Sequence, residues 1–335
     1  MRKFLIWLCL PAVVVLGLYG GYWYWMAGQL RDRIGPWAEI RRAEGYTINW
    51  DSVGIGGFPF EFRLRFGHLF VAASKPLPYE LSGDDIVFWA APWSLKRWHF
   101  EAPQGARVEA LAESAGFDAQ GLTGEVDLPL DPNSSFAFDA TGLAGRGAAQ
   151  GMAIDELRAA VTQPATPPAA DSDPFLSVDF ALKNATVKTA PPPFGGTIQE
   201  ISGAATIDGA MSQGPVPQML AGWRNRGGVI QLNQGHLHWD ALDIEATGTL
   251  ALDDQLQPLA ALTAKITGQD SILDAAVQAG NLRPSDAGLA KAVLGLISQP
   301  GADGQKQVTL PISAQNQRLF LGPAAIARLP TIEWQ

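Results

Sequence analysis

An uninterrupted apolar run from Phe4 to Trp25, preceded by Arg2 and Lys3 and free of acids, bases and amides, constrains this 335-residue chain more than any other feature. At about 1.5 Å of rise per residue, roughly 20 apolar residues cross the ~30 Å hydrocarbon layer of a bilayer, so a helix over this run has the length of a membrane span. Basic residues ahead of an apolar core also mark a cleaved secretory signal, and the two readings part at the exit. A signal peptidase site needs small residues, whereas the run ends in Tyr22, Trp23, Tyr24 and Trp25, whose rings suit the headgroup layer around a retained helix. The sequence therefore predicts a transmembrane signal anchor over residues 1–28. Cys9 follows Leu8, without the small residue of a lipoprotein cleavage site, and reads as an apolar thiol within the span.

Arg2 and Lys3 lie closer to the run than Arg31 and Arg33, which under the positive-inside rule puts the N-terminus in the cytoplasm. The body then lies across the membrane, in the periplasm if the membrane is a bacterial inner membrane. Of 24 Lys+Arg and 33 Asp+Glu, removing Arg2 and Lys3 leaves 22 bases against 33 acids, a formal −11 for that body. A nucleic-acid binder needs clustered bases to displace counterions from phosphates, and no cluster occurs, so nucleic acid is excluded as a partner. With one cysteine, no disulfide forms within the chain, and stability has to come from burial.

Beyond the anchor, Trp37, Ile40 and Arg41 fall at helical spacing over residues 36–44, and Gly45 supplies a helix stop. Period two follows at once. Tyr46, Ile48 and Trp50 alternate with Thr47 and Asn49, and Gly54, Gly56 and Gly57 read as a bend. Phe58, Phe60, Phe62, Leu64 and Phe66 then alternate with Pro59, Glu61, Arg63 and Arg65, the pattern of a strand with one apolar face. Short strands bounded by Gly, Pro, Asp or Asn are expected at Ile86–Ala90, Trp98–Glu101, Arg107–Leu111, Gly124–Leu130 and Ser135–Asp139, a density that argues for antiparallel structure over parallel βαβ units. A helix is expected over residues 151–162, from Ile154, Leu157, Arg158 and Val161.

Residues 163–174, QPATPPAADSDP, form a Pro/Ala-rich linker or loop. Alternation resumes at Leu176, Val178, Phe180 and Leu182. Gly203 to Asp208 and Gly248 to Asp253 echo one another, each read as a strand opened by glycine and closed by aspartate, and residues 228–268 read as a meander. Asp270 and Ser285 are candidate caps for two helices, the second with Leu289, Val293, Leu296 and Ile297, stopped by Pro300. Val308, Leu310 and Ile312, then Leu319 and Leu321, return two strands.

The expected fold is mainly β, a β-rich α+β chain: an N-terminal transmembrane helix, then antiparallel, curved β-meander sheets with a C-terminal helical hairpin packed on them. Its parts are the anchor at 1–28, an N-terminal β-rich part at 29–162, the linker at 163–174 and a C-terminal β-meander with helical hairpin at 175–335.

Residues 45–50 (GYTINW), residues 54–63 (GIGGFPFEFR), Gly228 with Trp239, Gly248-Thr-Leu, Pro258 and the terminal Gly322-Pro323 and Leu329-Pro330 resemble an uncharacterised family of membrane-anchored envelope proteins from alphaproteobacteria, over nearly the whole chain. More distantly, an anchor followed by a Gly/Asp-punctuated meander is similar to the AsmA-like envelope proteins, a resemblance that implies lipid handling between membranes. It supplies no catalytic residues, and this chain is far shorter than the bridge-forming AsmA-like proteins.

His236, His238 and Asp240, spaced by two, would share one strand face and could hold a metal, although a solvated face opposite Leu237 and Trp239 explains them as well. Asp84-Asp85 and Asp253-Asp254 read as turn residues, since neighbours in a strand point to opposite faces and cannot work as an acid/base pair. No G-x-S-x-G elbow and no G-x-x-x-x-G-K-[ST] loop occurs. Gly54-Ile-Gly56-Gly57 precedes a strand, where dinucleotide binding would need a helix N-terminus. The expectation is a non-enzymatic protein without cofactor, anchored in the inner membrane. It would bind phospholipid or another lipid in an apolar sheet groove lined by Phe58, Phe60, Phe62, Leu64, Phe66, Ile244, Leu250 and Leu252. The alternative is a tethered scaffold with a closed core that serves envelope protein partners.

Overall fold

The apolar run is helical in the computed structural model, but the helix does not end at its aromatic exit. Helix α1 (Arg2–Ala43) is continuous over 42 residues, taking in Pro36 and the separate short helix expected after it. Proline removes one backbone donor from a helix, and here the flanking turns hold without it. Gly45, at φ +97°, stops the helix as its sequence suggested, with its N–H on the carbonyl of Arg42 at 3.0 Å. The structure describes residues 2–74, 78–110, 115–128, 133–166, 168–188, 194–212, 214–278, 280, 282–300, 306–322 and 324–334, with side chains from Val14 onward except at 324 and 326. The side chain of Cys9, the strand ends Leu111 and Leu130, and Pro323 lie outside the described residues. Among the described residues, no helix is long and apolar enough to cross a membrane.

The body is one antiparallel sheet. Strands β1 (Tyr46–Asn49) and β2 (Ser52–Gly56) pair with the two halves of β3 (Phe62–Ala73), which pairs with β4 (Tyr79–Ala91). The sheet then divides into two short ribbons. One passes through β5 (Ser94–Ala102) to β8 (Gly121–Asp127), the other through β6 (Ala106–Ala110) to β7 (Ala115–Ala119), and both rejoin on β9 (Ser135–Gly147). From there each strand pairs with the next in sequence: β10 (Ala153–Thr162), β11 (Pro174–Thr186), β12 (Thr197–Asp208), β13 (Val229–Trp239), β14 (Leu242–Leu252) and β15 (Pro258–Thr267). Residues 163–166 and 168–173 thus belong to the connection between paired neighbours β10 and β11. Helix α2 (Val216–Asn225) sits between β12 and β13, and α3 (Gln269–Gln278) and α4 (Pro284–Ile297) follow β15. Then β16 (Gln299–Pro300) and β17 (Lys306–Gln315) form, β17 pairs with β15, and β18 (Arg318–Leu321) and β19 (Ala324–Arg328) complete the sheet.

Several expectations change. Residues 153–162 are strand β10, not a helix, because they are hydrogen-bonded along both edges to β9 and β11. The strand expected from Phe58 begins at Phe62; Phe58 and Phe60 lie in a turn closed by Glu61 N–H on the Gly57 carbonyl at 3.0 Å, while Gly54 and Gly56 are inside β2. Gly203 and Gly248 sit within strands and do not open them, and Asp84 and Asp85 lie within β4. Asp253 does close its strand into a turn, its Oδ1 accepting the N–H groups of Gln255 and Gln257 at 2.8 Å. Asp270 and Ser285 fall inside the first turns of α3 and α4; the N-cap of α4 is Arg283, without a side-chain cap. Helix α2 was not anticipated. It drops Trp223 onto the sheet, with Nε1 donating to the Asp208 carbonyl at 2.7 Å, and the ring lies so close over Gly228 that a Cβ there would stand 2.3 Å from it.

Two ends of the sheet are covered. At the first, Trp23 of α1 stacks on Phe62, ring centroids 5.2 Å apart, in a core with Leu64, Phe66, Leu69, Ile86 and Trp98. At the other, Leu242, Ala264, Ile266 and Val308 are buried beneath Ile272 of α3 and Leu294 of α4.

Candidate functional site

Residues directly opposite in an antiparallel pair project from the same sheet face. The pairing register therefore traces rungs across the molecule. One rung runs Leu64, Phe88, Phe100, Gly124, Phe138, Ala159, Phe180, Gly203, Gly235, Ala246, Ala264 and Leu310, each paired with the next. Every member is apolar or glycine. The rings lie over the glycines: a Cβ on Gly124 would meet Phe100 at 2.4 Å, and one on Gly203 would meet Phe180 at 2.8 Å.

Two residues to either side, the rungs on the same face are equally apolar. One passes through Ala102, Leu122, Ala140, Leu157, Leu182, Ile201, Leu237, Ile244, Ile266 and Val308. The other passes through Trp98, Val126, Phe136, Val161, Val178, Ala205, Leu232, Gly248, Leu262 and Ile312. One face of the sheet is hydrocarbon from end to end.

Its cover is not. In β9 to β13, only Ala140 of these three rungs is buried; Phe136 and Phe180 are exposed and the others are half-buried. A strand face this apolar ordinarily packs under a second layer. Here α1 covers one end, α3 and α4 the other, and the middle strands lie between them.

The reverse face is polar. Thr123, Asp139, Arg158, Ala181, Ser202, His236, Glu245 and Lys265 form one of its rungs. Arg158 Nε donates to Asp139 Oδ2 at 2.6 Å. A shallow depression of about 520 Å³ crosses β8 to β13, lined by the part of this rung from Thr123 to Ser202, by the rung of Glu125, Ala137, Ala160, Asp179, Ala204 and Gln234, and by the residues between them. None of the flanking apolar side chains reaches it, so it lies on the polar side.

The histidines sit at the end of that face. His236 Nε2 is 3.0 Å from Asp243 Oδ2 and its Nδ1 3.7 Å from Glu200 Oε1; His238 Nδ1 is 3.3 Å from the same Asp243 oxygen. Partial burial pushes the His236 pKa down, but the Asp243 hydrogen bond and the charges of Asp243 and Glu200 outweigh it and raise the imidazole above its ordinary value. Asp240 is not with them. It lies in the two-residue turn between β13 and β14 at φ +54°, accepting the Gly195 N–H, so period two ends before it. Among the described residues, no group of three or more His, Cys, Asp or Glu is placed to hold a metal ion.

The residues expected to line a groove are dispersed. Phe62, Leu64 and Phe66 are sealed in the core beneath Trp23, Phe62 at 0% exposure. Phe58 and Phe60 belong to the turn beside α1, and Phe58 stacks on Tyr24 with centroids 5.6 Å apart. Ile244 lies in an apolar rung near the C-terminal cover, Leu250 is opposite Ile230, and Leu252 is opposite Pro258 at the strand end. The exposed residues of the apolar face in the middle strands are instead Phe136 and Phe180, beside half-buried Val161, Val178 and Ile201, while Phe138, Leu157 and Leu182 pack against a small buried cluster of Ala140, Leu143, Ile154 and Ala185. The alternation at 176–182 signalled β11, while β10 was hidden by its helix-like composition.

A family model described as "Uncharacterized protein conserved in bacteria (DUF2125)" matches residues 23–330. No curated protein and no solved structure matches the chain.

Proposed function

Since the chain belongs to that uncharacterised bacterial family, which brings no activity with it, we propose from the geometry that this is a non-enzymatic, membrane-tethered envelope protein holding lipid acyl chains against the apolar face of β9 to β13. The uncovered middle of the three apolar rungs carries this reading. At about 4.8 Å between strands and 3.4 Å per residue, the three rungs over five strands cover roughly 19 by 14 Å. Soluble monomers rarely leave contiguous apolar patches beyond a few hundred Å² without a use for them.

The chemistry of the rungs favours hydrocarbon as the occupant. Between β9 and β13 they carry no side-chain donor or acceptor and no Trp, Tyr or Arg, the residues that anchor protein interfaces. An acyl chain asks only for displaced water, worth about 25 cal/mol per Å² of apolar surface covered. The apolar run at residues 4–25 supports a tether in an inner membrane with the body on the periplasmic side, which would put that face within reach of lipid. The distant likeness to AsmA-like proteins points the same way.

The test is to purify the full chain from membranes in mild detergent and analyse extracted lipid by mass spectrometry, beside Phe180→Asp and, on the reverse face, Arg158→Ala. Near-stoichiometric lipid in wild type and R158A, lost in F180D with unchanged far-ultraviolet dichroism, is expected. Preparations without stoichiometric lipid would defeat the reading, and a protein cross-linked to this face would replace it with the scaffold alternative.

A further inference from the structure

The body packs along α1 from Tyr19 to Arg42, through Ala27, Leu30 and Ile34, and its N-terminal-most hold is at residues 19–24. Tyr19 Oη donates to the Pro59 carbonyl, Tyr22 Oη to the Pro92 carbonyl at 3.1 Å, and Trp23 Nε1 to the Glu61 carbonyl at 3.1 Å. Two turns are thereby held against residues 19–24: the turn at 57–61, and the turn between β4 and β5 that carries Trp93. Each presents an aromatic ring outward, Phe60 at 74% and Trp93 at 73% exposure, beside exposed Tyr24 and Trp25. N-terminal to this level, Val14, Val15, Leu16 and Leu18 are exposed and a Cβ on Gly17 would meet nothing within 4 Å, so along residues 14–18 no described residue of the body follows the helix.

The dimensions fit a bilayer boundary. Residues 2–18 amount to about 26 Å of helix, close to the ~30 Å hydrocarbon thickness, and residues 19–25 to about 10 Å, close to one headgroup layer. If the run is a span, the turns fixed to residues 19–24 cannot stand off in water. We propose that Phe60 and Trp93 enter the headgroup layer beside α1, giving the body a second contact with the lipid surface and a fixed orientation on it. This rests on the tether reading of α1 and adds to it that the body lies flush on the membrane. Phe and Trp at that depth gain apolar burial, as interfacial aromatic belts do, and the one charge in the first turn, Glu61, is paired with Arg63 Nε at 2.9 Å.

Spin labels on the full chain in the Cys9→Ser background, reconstituted in phosphatidylcholine/phosphatidylglycerol vesicles, test this by collision with oxygen and with a water-soluble nickel chelate. Labels are placed at Leu18→Cys, Phe60→Cys, Trp93→Cys and Asp254→Cys, all exposed positions. Nickel accessibility at 60 and 93 is expected to be several-fold below that at 254, with oxygen accessibility approaching that at 18. Labels at 60 and 93 as nickel-accessible as at 254, with 18 in lipid, would overturn the second contact and leave the tether standing. A nickel-accessible label at 18 would overturn both.

Discussion

Asp127, at the end of β8, is buried and accepts four hydrogen bonds, from Arg97 Nε at 3.0 Å and Nη2 at 3.3 Å, the Ser135 N–H at 3.1 Å and the Ser135 hydroxyl at 3.0 Å. The Arg97 bond is the main cause that lowers its pKa to about 2, against 3.8 unperturbed, with the Ser135 bonds adding to it and burial opposing. A depressed carboxylate stabilises the fold above its unfolded pKa, and that contribution fades as pH falls through the folded value. At about 1.4 kcal/mol per pKa unit this is of the order of 2 kcal/mol. Asp127→Ala should therefore lower stability by about 2 kcal/mol at pH 7 in urea titrations, with the gap to wild type closing between about pH 4 and pH 2. His236 works with the opposite sign: its raised pKa favours the fold below the ordinary imidazole range and ceases to do so as pH rises through the folded value. Neither constellation was legible in the sequence. Arg97 and Asp127 stand 30 residues apart, and Asp243 reaches the histidines only because a two-residue turn folds β14 back on β13.

Among the elements, α4 shows how a stripe can be read correctly and assigned to the wrong side. Leu289, Val293, Leu296 and Ile297 recur at helical spacing, yet all are exposed, Leu296 at 86%, and the inward face is Ala287 and Leu294. Leu294→Ala should cost about 2 kcal/mol in thermal melts, as core truncations do, and Leu296→Ala should stay within about 0.5 kcal/mol of wild type. The strands were legible where β-branched and aromatic residues alternate with polar ones, as in β3, β11 and β13. They were misread where composition contradicts pairing. Ala153 to Thr162 is rich in Ala, Glu, Leu and Arg, strong helix formers, and only partners along both edges make it a strand. Strand lengths come out short for a related reason: after Asp139, β9 continues through Ala140, Thr141 and Ala144, which carry little local β signal but are paired on both sides.

At the scale of the molecule, the mainly β, antiparallel class was visible in the regular turn spacing, whereas the union of all the strands in one sheet was not, since register is a property of pairs. Cover is concentrated at the two ends, and free energy of local opening follows burial. Amide hydrogen exchange in detergent should show strongest protection in β3, β4, β15 and β17 and faster exchange in β10 to β12. Added lipid should slow β10 to β12 selectively; uniform protection along the sheet would contradict this gradient.

From β9 onward almost every strand hydrogen-bonds to the one synthesised just before it. A chain emerging N-terminus first can therefore zip each hairpin onto a finished edge without waiting for distant sequence, so the loop-closure entropy of each addition stays small. The leading edge is a growing template that each arriving strand caps in turn, so the unpaired backbone left open to a neighbouring molecule at any moment is one strand's length.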